Sequence, residues 1–264
     1  MITSSSNRHV RDTIALQKKA REREERDLFV VEGPKMFLEA PSDRVVQVYV
    51  SESFRGGQIW EKNRALFEKA PCETVSDEVF RRMSDTQNPQ GVLCLLRGYH
   101  YKEEDLLGRM SGRKPLLMIL EDLQDPGNLG TILRSGEGAG ITGILMSRGC
   151  VDISNPKVIR STMGSVYRVP FAYTDDLGVS LDRLKKRGVS LFAAHLRGKR
   201  SYDQEDYSGP AGFLIGNESR GLSDETAAKA DTLVRIPMLG QVESLNAAMA
   251  SGILMYEAAR QRRG

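Results

Sequence analysis

The chain has 264 residues, of which 40% are hydrophobic and 28% are charged, with a formal net charge of +3. This is the composition of an ordinary globular protein, and the length allows one large domain or two smaller ones. No apolar run is long enough to span a membrane, and the three scattered cysteines, with no C-x-x-C pair, predict neither a disulfide framework nor a zinc site.

The N-terminal segment "MITSSSNRHVRD" is polar and lacks the apolar core of a secretory signal. We therefore predict a cytoplasmic protein that binds no metal. Through Arg26 the chain carries seven basic and four acidic side chains, which favours a nucleic-acid partner only weakly. The stretch "QKKAREREERD" is equally typical of a solvated, salt-bridged helix face.

Helical patterns and short apolar runs alternate over the first hundred residues. The predicted helices are "RDTIALQKKAREREERD", "PKMFLEA" and "QIWEKNRALFEKA", and the predicted strands are "LFVVEG", "RVVQVYVS" and "GVLCLL". Pro34 stands at a permissible first helical position. The following stretch, "RGYHYKEEDLLGRMSGRK", loses apolar periodicity and gains charge and glycine, so we predict a linker.

Beyond the linker, apolar runs alternate with helical patterns more regularly. The runs are "LLMIL", "GILM", "VYRVPF", "SLFAA", "GFLIG" and "TLVRI", and the helices include "NLGTILRSGEGAG", "NPKVIRSTMG", "LGVSLDRLKKRG" and a last helix over 243–262. Short strands separated by helices predict a mostly parallel sheet covered on both faces. Ligands of such sheets bind at the carboxyl ends of the strands, where three polar segments follow apolar runs.

The first polar segment is "LEDLQDPGNLGTILRSGEGAG". We expect Asn128 to cap the helix and Arg134 to lie beside its apolar stripe. Three glycines within that helix suggest close approach by another backbone or a ligand, although a frayed helix end with a surface arginine is the plain alternative. The sequence "GAGITG" matches the G-x-G-x-x-G pattern, but it ends a helix and leads into a strand, so we reject a dinucleotide site.

The other two polar segments lie near the C-terminus. Glu218 directly follows the strand "GFLIG", and Ser244 and Asn246 begin the last helix, whose N-terminus favours negative charge. That helix carries two apolar stripes, one of mainly small residues, so we expect two buried faces. Taken separately, these side chains could be an ordinary turn and a double cap without chemistry.

Together, the segments resemble the three motifs of the TrmH/SpoU branch of the SPOUT methyltransferases. The matching patterns are "N-L-G-x-x-x-R", "G-N-E-x-x-G-L" and "I-P-M-x-G-x-x-E-S-L-N-A-A-x-A", in that order. The segments "FVVEGPKMFLEA" and "MSDTQNPQGVL" are similar to the small N-terminal substrate-binding domain that many such enzymes carry. The resemblance therefore covers nearly the whole chain.

The resemblance implies an α/β fold with a trefoil-knot catalytic domain over 115–264 and a small α/β substrate-binding domain over 1–98, joined by a linker over 99–114. It implies a homodimer that binds S-adenosylmethionine in a bent shape and methylates a ribose 2′-hydroxyl of RNA. The two-domain chain favours ribosomal RNA, with 23S ribosomal RNA as the expected target, over transfer RNA. A catalytically silent RNA-binding module and a base methyltransferase are the alternatives.

The resemblance also implies the site residues. The expected catalytic residues are Asn128, Arg134, Glu218, Ser244 and Asn246, and the expected cofactor contacts are Leu196, Gly216, Ile236, Met238, Gly240 and Leu245. The family often has a small or hydroxyl residue where this chain has His195 and Leu196. Arg8, Arg11 and Lys35 are candidate phosphate contacts of the N-terminal domain.

Overall fold

The computed structural model describes residues 1–108 and 112–263, and the chain divides into two compact units. The first unit comprises Met1–Tyr99 and Asp152–Tyr167, and the second comprises His100–Val151 and Arg168–Gly264. The chain therefore leaves the second unit after Val151, contributes a segment to the first unit, and returns. The predicted linker includes residues 109–111, which lie outside the described residues.

The helices follow most of the predicted helical patterns. They are α1 (Arg8–Lys18), α2 (Ala20–Arg26), α3 (Pro34–Leu38), α4 (Glu52–Arg55), α5 (Gln58–Lys69), α6 (Asp77–Met83), α7 (Pro126–Ala139), α8 (Pro156–Thr162), α9 (Leu177–Lys186), α10 (Asp224–Lys229) and α11 (Ala247–Arg262). The charged N-terminal pattern forms two helices rather than one, because Lys19 adopts extended backbone between them. Pro34 opens α3 as predicted.

The strands are β1 (Leu28–Glu32), β2 (Val45–Ser51), β3 (Cys72–Val75), β4 (Val92–Arg97), β5 (Leu116–Leu120), β6 (Gly143–Ser147), β7 (Phe171–Thr174), β8 (Ser190–Ala194), β9 (Arg200–Ser201), β10 (Ala211–Ile215) and β11 (Thr232–Arg235). The apolar run "VYRVPF" is only partly a strand. Its first two residues belong to a 3₁₀ helix over Ser165–Tyr167, and β7 begins at its last residue. The rejected "GAGITG" pattern does end α7 and lead into β6.

The first unit is built on a four-stranded sheet in the order β1-β4-β2-β3. β4 is antiparallel to both β1 and β2, whereas β3 is parallel to β2. α1 and α6 supply Val10, Leu16 and Phe80 to the core, where they meet Val30 and Leu93 of the sheet. On the exposed face of α2, Arg21 and Glu25 form one of the predicted salt bridges.

The returning segment 152–167 is an integral part of the first unit. Arg23 is only 6% exposed, and its Nη2 lies 2.6 Å from Oδ2 of Asp152. The hydroxyl of Tyr167 donates to the carbonyl of Met36 at 3.0 Å, and α8 packs on β1. Because a buried guanidinium without its carboxylate is costly, Asp152 is part of the stability of this unit.

The second unit contains a seven-stranded sheet in the order β7-β6-β5-β10-β8-β11-β9. The pairings between these strands are parallel, which confirms the predicted parallel sheet. Its core is formed by buried aliphatic side chains, among them Leu117, Ile119, Leu145, Leu191 and Leu214. Since the strands run in one direction, the polar segments after β5, β8, β10 and β11 emerge at the same edge.

Two glycines of α7 allow α11 to approach closely. A Cβ added to Gly136 would lie 3.3 Å from Sδ of Met255, and one added to Gly138 would lie 2.8 Å from the hydroxyl oxygen of Tyr256. These neighbours are side chains, and the one nearest to Gly136 is Cδ1 of Ile141, whereas we predicted approach by another backbone or a ligand. The prediction of two buried faces on α11 is wrong for the single chain, since Met249 and Tyr256 are 59% and 51% exposed.

Candidate active site

A cleft of about 960 Å³ opens at the carboxyl edge of the second unit's sheet. The loops that follow β8, β10 and β11 and the start of α11 line it. Five of the six residues expected to contact the cofactor lie in this lining: Leu196, Gly216, Ile236, Met238 and Leu245. Gly240 is exposed and is not among them. A cleft lined by both apolar and polar side chains suits a small organic molecule that has both kinds of group.

Glu218 lines this cleft and accepts hydrogen bonds from three donors. The backbone N–H groups of Gln124 and Asp125 donate to its two carboxylate oxygens at 3.0 and 2.8 Å, and Nδ2 of Asn128 donates at 3.0 Å. Burial alone would raise the pKa of Glu218, but these hydrogen bonds together outweigh it and lower the pKa below its ordinary value. Glu218 is therefore an ionised acceptor that holds the loop after β5.

Asn128 joins Glu218 to the start of α11. Its side chain is 8% exposed, and its Oδ1 accepts from Nδ2 of Asn246 at 2.8 Å. The two bonds fix the orientation of the Asn128 amide, because a flipped amide would face Nδ2 of Asn246 with its own donor. Residues from three distant segments of the chain thus form one hydrogen-bonded series.

Asn246 and Ser244 lie just before α11, which begins at Ala247 and not at the predicted residue 243. Asn246 is the N-cap, and its Oδ1 accepts from the backbone N–H groups of Ala248 and Met249 at 2.9 and 3.2 Å. Its Nδ2 has a second hydrogen beyond the one given to Asn128. Ser244 lines the cleft, is exposed, and has no hydrogen-bond partner among the described residues. Both side chains therefore keep donors for a ligand.

The expectation that Asn128 caps α7 is wrong. Asp125 is the N-cap, and its Oδ1 accepts from the backbone N–H of Asn128 at 2.7 Å. Pro126 takes the first helical position, where its missing N–H costs nothing. The Asp-Pro pair in the sequence was a signal for this cap. Because Asn128 lies one turn inside the helix, its side chain is free to reach both Glu218 and Asn246.

Arg134 lies further along α7 and is exposed. Its guanidinium makes no hydrogen bond or ion pair with any residue that the structure describes, and Arg134 is not among the residues lining the cleft. The structure therefore leaves this side chain available to a partner outside the chain, but it shows no contact between Arg134 and the Glu218–Asn128–Asn246 series.

The loop after β10 is closed by a tight backbone crossing. A Cβ added to Gly216 would overlap the backbone of Gly221 and Leu222, so only glycine fits at this position. Oδ1 of Asn217 accepts from the backbone N–H of Ser219 at 3.0 Å, and its Nδ2 donates to the carbonyl of Asp122 at 2.8 Å. Sequence patterns did not indicate the role of Asp122, whose positive φ of 52° turns the loop after β5 toward Asn217.

The candidate phosphate contacts lie in the first unit. Arg8, Arg11 and Lys35 are exposed, and Nε of Arg8 lies 3.7 Å from Oδ2 of Asp12.

Among the described residues, no group of histidine, cysteine and carboxylate side chains could hold a metal ion. No helix within residues 1–108 and 112–263 is both long and apolar enough to cross a bilayer.

Comparison with protein families gives two matches that together cover most of the chain. The model described as the SpoU rRNA methylase family matches residues 115–256, and the model described as an MRM3-like substrate binding domain matches residues 7–94. Among relatives, the 23S rRNA (guanosine(2553)-2′-O)-methyltransferase RlmP of Bacillus subtilis is 31% identical over 97% of both chains.

Solved structures resemble the whole chain as well. The AdoMet-bound rRNA methyltransferase from Sinorhizobium meliloti aligns with a TM-score of 0.84 and 31% identity, over 98% of this chain and 97% of that one. The SpoU methyltransferase AviRb from Streptomyces viridochromogenes, in complex with AdoMet, aligns with a TM-score of 0.86 and 25% identity, over 98% and 99%.

Proposed function

The chain belongs to the SpoU rRNA methylase family, and we propose that it is an S-adenosylmethionine-dependent methyltransferase acting on a ribose 2′-hydroxyl of 23S ribosomal RNA. One observation carries the proposal: Glu218, Asn128 and Asn246, each from a different motif, form a single hydrogen-bonded series beside the cleft. A silent RNA-binding module would have no use for the donors that Asn246 and Ser244 keep at the cleft. The relatives named above support ribosomal RNA as the target.

The cleft has the chemistry that the cofactor requires. Apolar side chains of Leu196, Ile236, Met238 and Leu245 offer a surface for an adenine ring, and Ser244 and Asn246 offer hydrogen-bond donors beside it. We assign cofactor contact to these apolar residues and Gly216, and, on the family resemblance alone, to Gly240, which lies outside the cleft lining. When bound, S-adenosylmethionine supplies a methyl group already activated by a sulfonium. The chain's own task is therefore to align the nucleophile and to stabilise the charge that develops on it.

We assign that stabilising task to Arg134. A guanidinium stays protonated in proteins, so Arg134 is a poor base but a strong donor to an alkoxide or a phosphate. Its exposed side chain is unengaged by the described residues, which suits contact with an incoming RNA. We propose that Arg134 donates to the developing 2′-oxyanion and to a neighbouring phosphate. The proton of the 2′-hydroxyl then passes to that phosphate or to water.

Glu218 is a positioning residue in this scheme. Three donors occupy its carboxylate, and its lowered pKa makes it a weak proton acceptor at neutral pH. It cannot take the hydroxyl proton without losing these bonds. Glu218 instead orients Asn128, and Asn128 orients Asn246, which leaves the second Nδ2 hydrogen of Asn246 and the hydroxyl of Ser244 for substrate or cofactor.

We propose that residues 1–98 form the RNA-binding domain and residues 115–264 the catalytic domain, with the exception of the segment 152–167, which belongs to the first unit. Arg8, Arg11 and Lys35 would contact phosphates, so replacing them should weaken RNA binding and reduce its salt dependence. Salt-independent binding by the native chain would contradict this assignment. Because ribosomal RNA is the proposed substrate, we place the protein in the cytoplasm.

The family resemblance also leads us to propose a trefoil knot and a homodimer. Gly198 supports the knot, because a Cβ added there would lie 2.7 Å from the carbonyl carbon of Val234, as expected where a loop is threaded tightly. The exposed side chains of Met249 and Tyr256 on α11 support the dimer, because they give this helix an apolar outer face. Sedimentation of the purified chain would test the dimer.

The test of the function is transfer of labelled methyl from S-adenosylmethionine to defined RNA. Transcripts of 23S ribosomal RNA and of transfer RNA are incubated with the chain and then digested to nucleosides. We expect the label in a 2′-O-methylated nucleoside from the 23S transcript. A labelled base would contradict ribose methylation, label confined to transfer RNA would contradict the target, and cofactor binding without transfer to either RNA would favour a silent module.

A further inference from the structure

His195 and Arg235 lie side by side on the cleft wall and have no part in the scheme above. His195 directly follows β8, and Arg235 is the last residue of β11. The backbone N–H of His195 donates to the carbonyl of Val234 at 2.9 Å, which holds the two strand ends together. Both residues line the cleft.

The imidazole of His195 is held as a hydrogen-bond donor. The backbone N–H of Arg197 donates to its Nδ1 at 3.0 Å, so the ring proton of the neutral form is on Nε2. Burial and, to a smaller extent, the charge of Arg197 lower the pKa of His195, against a weaker opposing effect of Asp224. His195 is therefore neutral at neutral pH, with Nδ1 occupied and Nε2–H free to donate.

Arg235 is the arginine of the cleft wall that is not engaged. It is exposed and makes no hydrogen bond or ion pair with any described residue. Arg220, which also lines the cleft, lies 3.5 Å from a carboxylate oxygen of Asp122, and the nearby Arg197 is paired with Asp224. A guanidinium next to a neutral N–H donor is a good binding partner for an oxyanion.

We propose that Nε2–H of His195 and the guanidinium of Arg235 bind the carboxylate of the amino-acid tail of S-adenosylmethionine. This inference rests on the proposed function, because it assumes that the cleft takes this cofactor. Leu196 and Ile236, which directly follow the two residues, belong to the apolar surface assigned to the adenine. A cofactor would reach both that surface and the pair from one wall only if it were bound in a bent shape, as the family resemblance implies. A phosphate of the RNA is the other oxyanion that could reach the pair.

Calorimetric titration of the full chain tests the proposal with two probes that differ only in the carboxylate: S-adenosylmethionine and its decarboxylated analogue. We expect Arg235→Ala to weaken binding of S-adenosylmethionine by about tenfold or more, as for loss of a charge-assisted hydrogen bond, and to leave binding of the analogue unchanged. Arg220→Ala is the matched control and should change neither affinity.

Two variants of His195 separate its two nitrogens. His195→Gln keeps a donor near the position of Nε2 and should retain most of the affinity for S-adenosylmethionine. His195→Asn keeps an acceptor for the N–H of Arg197 but is too short to replace the Nε2 donor, so its affinity should fall several-fold. Circular dichroism of each variant checks that the fold is intact.

Three results would overturn the proposal. Equal loss of affinity for both probes would mean that the pair supports the adenosine or the fold. Unchanged affinity for S-adenosylmethionine, with RNA binding weakened, would assign the oxyanion to an RNA phosphate. If the native chain bound neither probe, the proposed function would fail together with this inference. If the native chain bound S-adenosylmethionine but the variants did not show the expected changes, only this inference would fail.

Discussion

The two ends of α11 use polar side chains in opposite ways. At its C-terminal end, Arg262 donates to backbone carbonyls of four residues in the segments that precede β5 and β10: Lys114, Pro115, Tyr207 and Gly209. Gln261 adjoins it and accepts from the backbone N–H of Tyr207 at 2.7 Å. At the N-terminal end, Asn246 and Ser244 retain donors that no described residue uses.

The difference separates polar residues that hold the fold from those available for chemistry. A side chain whose donors all reach backbone carbonyls has nothing left for a ligand, however polar it is. The site lies at the end of the helix where hydrogen-bonding capacity is left over. Variants at the two ends, and at Arg134 on α7, should therefore separate activity from stability.

Arg134→Ala should have the largest effect. We expect methyl transfer to fall by about a hundredfold or more, as when one donor to a developing oxyanion is removed. Affinity for S-adenosylmethionine should stay nearly unchanged, because Arg134 is not among the residues lining the cleft. Single-turnover transfer and calorimetry measure the two quantities. Full activity of Arg134→Lys would show that the planar guanidinium is not required.

Arg262→Ala should lower the free energy of unfolding by about 3 kcal/mol, since three partly buried carbonyls and one exposed carbonyl lose a charged donor. Urea unfolding measures this change. The rate of methyl transfer per folded molecule should stay near the native value. The neighbouring exposed Arg263 is the control, and Arg263→Ala should leave stability within about 0.5 kcal/mol of the native chain. A large loss of activity in folded Arg262→Ala would remove the distinction between the two ends.

Asn246→Ala and Asn246→Asp separate capping from the hydrogen-bonded series. Alanine removes the cap and should cost about 1 kcal/mol of stability, whereas aspartate caps equally well. Aspartate nevertheless loses the Nδ2 donor to Asn128, and its charge would face Oδ1 of that residue. We expect both variants to lose methyl transfer, and we expect thermal stability to fall less for Asn246→Asp because it keeps the cap. Native activity in Asn246→Asp would leave capping as the sole role of this residue.

The smallest effect concerns Glu218 and pH. Because its pKa is lowered in the folded chain, ionised Glu218 stabilises the fold above the pKa of the unfolded chain, and this contribution is lost as pH falls through the folded pKa. The native chain should therefore be more stable than Glu218→Gln at pH 7, and the difference should shrink below about pH 4.5. Unfolding titrations of both proteins between pH 7 and pH 3 measure it. A pH-independent difference would contradict the role of the charge.

Much of the second unit could be predicted from its sequence, because strand and helix periods alternate clearly there. The positions of Glu218 and Asn246 after strands indicated a shared edge, and the structure joins them through Asn128. Two other features could not be predicted from the sequence. Backbone N–H groups such as that of Gln124 leave no trace in a sequence, and burial of Arg23 could not be separated from the exposed arginines around it.

The excursion of residues 152–167 has a consequence for how such chains are inherited. Arg23 and its partner Asp152 are encoded far apart, yet both belong to the first unit. A gene fusion that replaced only residues 1–98 could leave Asp152 without Arg23. It would also separate α8 from the β1 on which it packs. Recombination between related genes would therefore preserve the first unit only if both coding segments were exchanged together. We expect the two segments to be inherited as one unit.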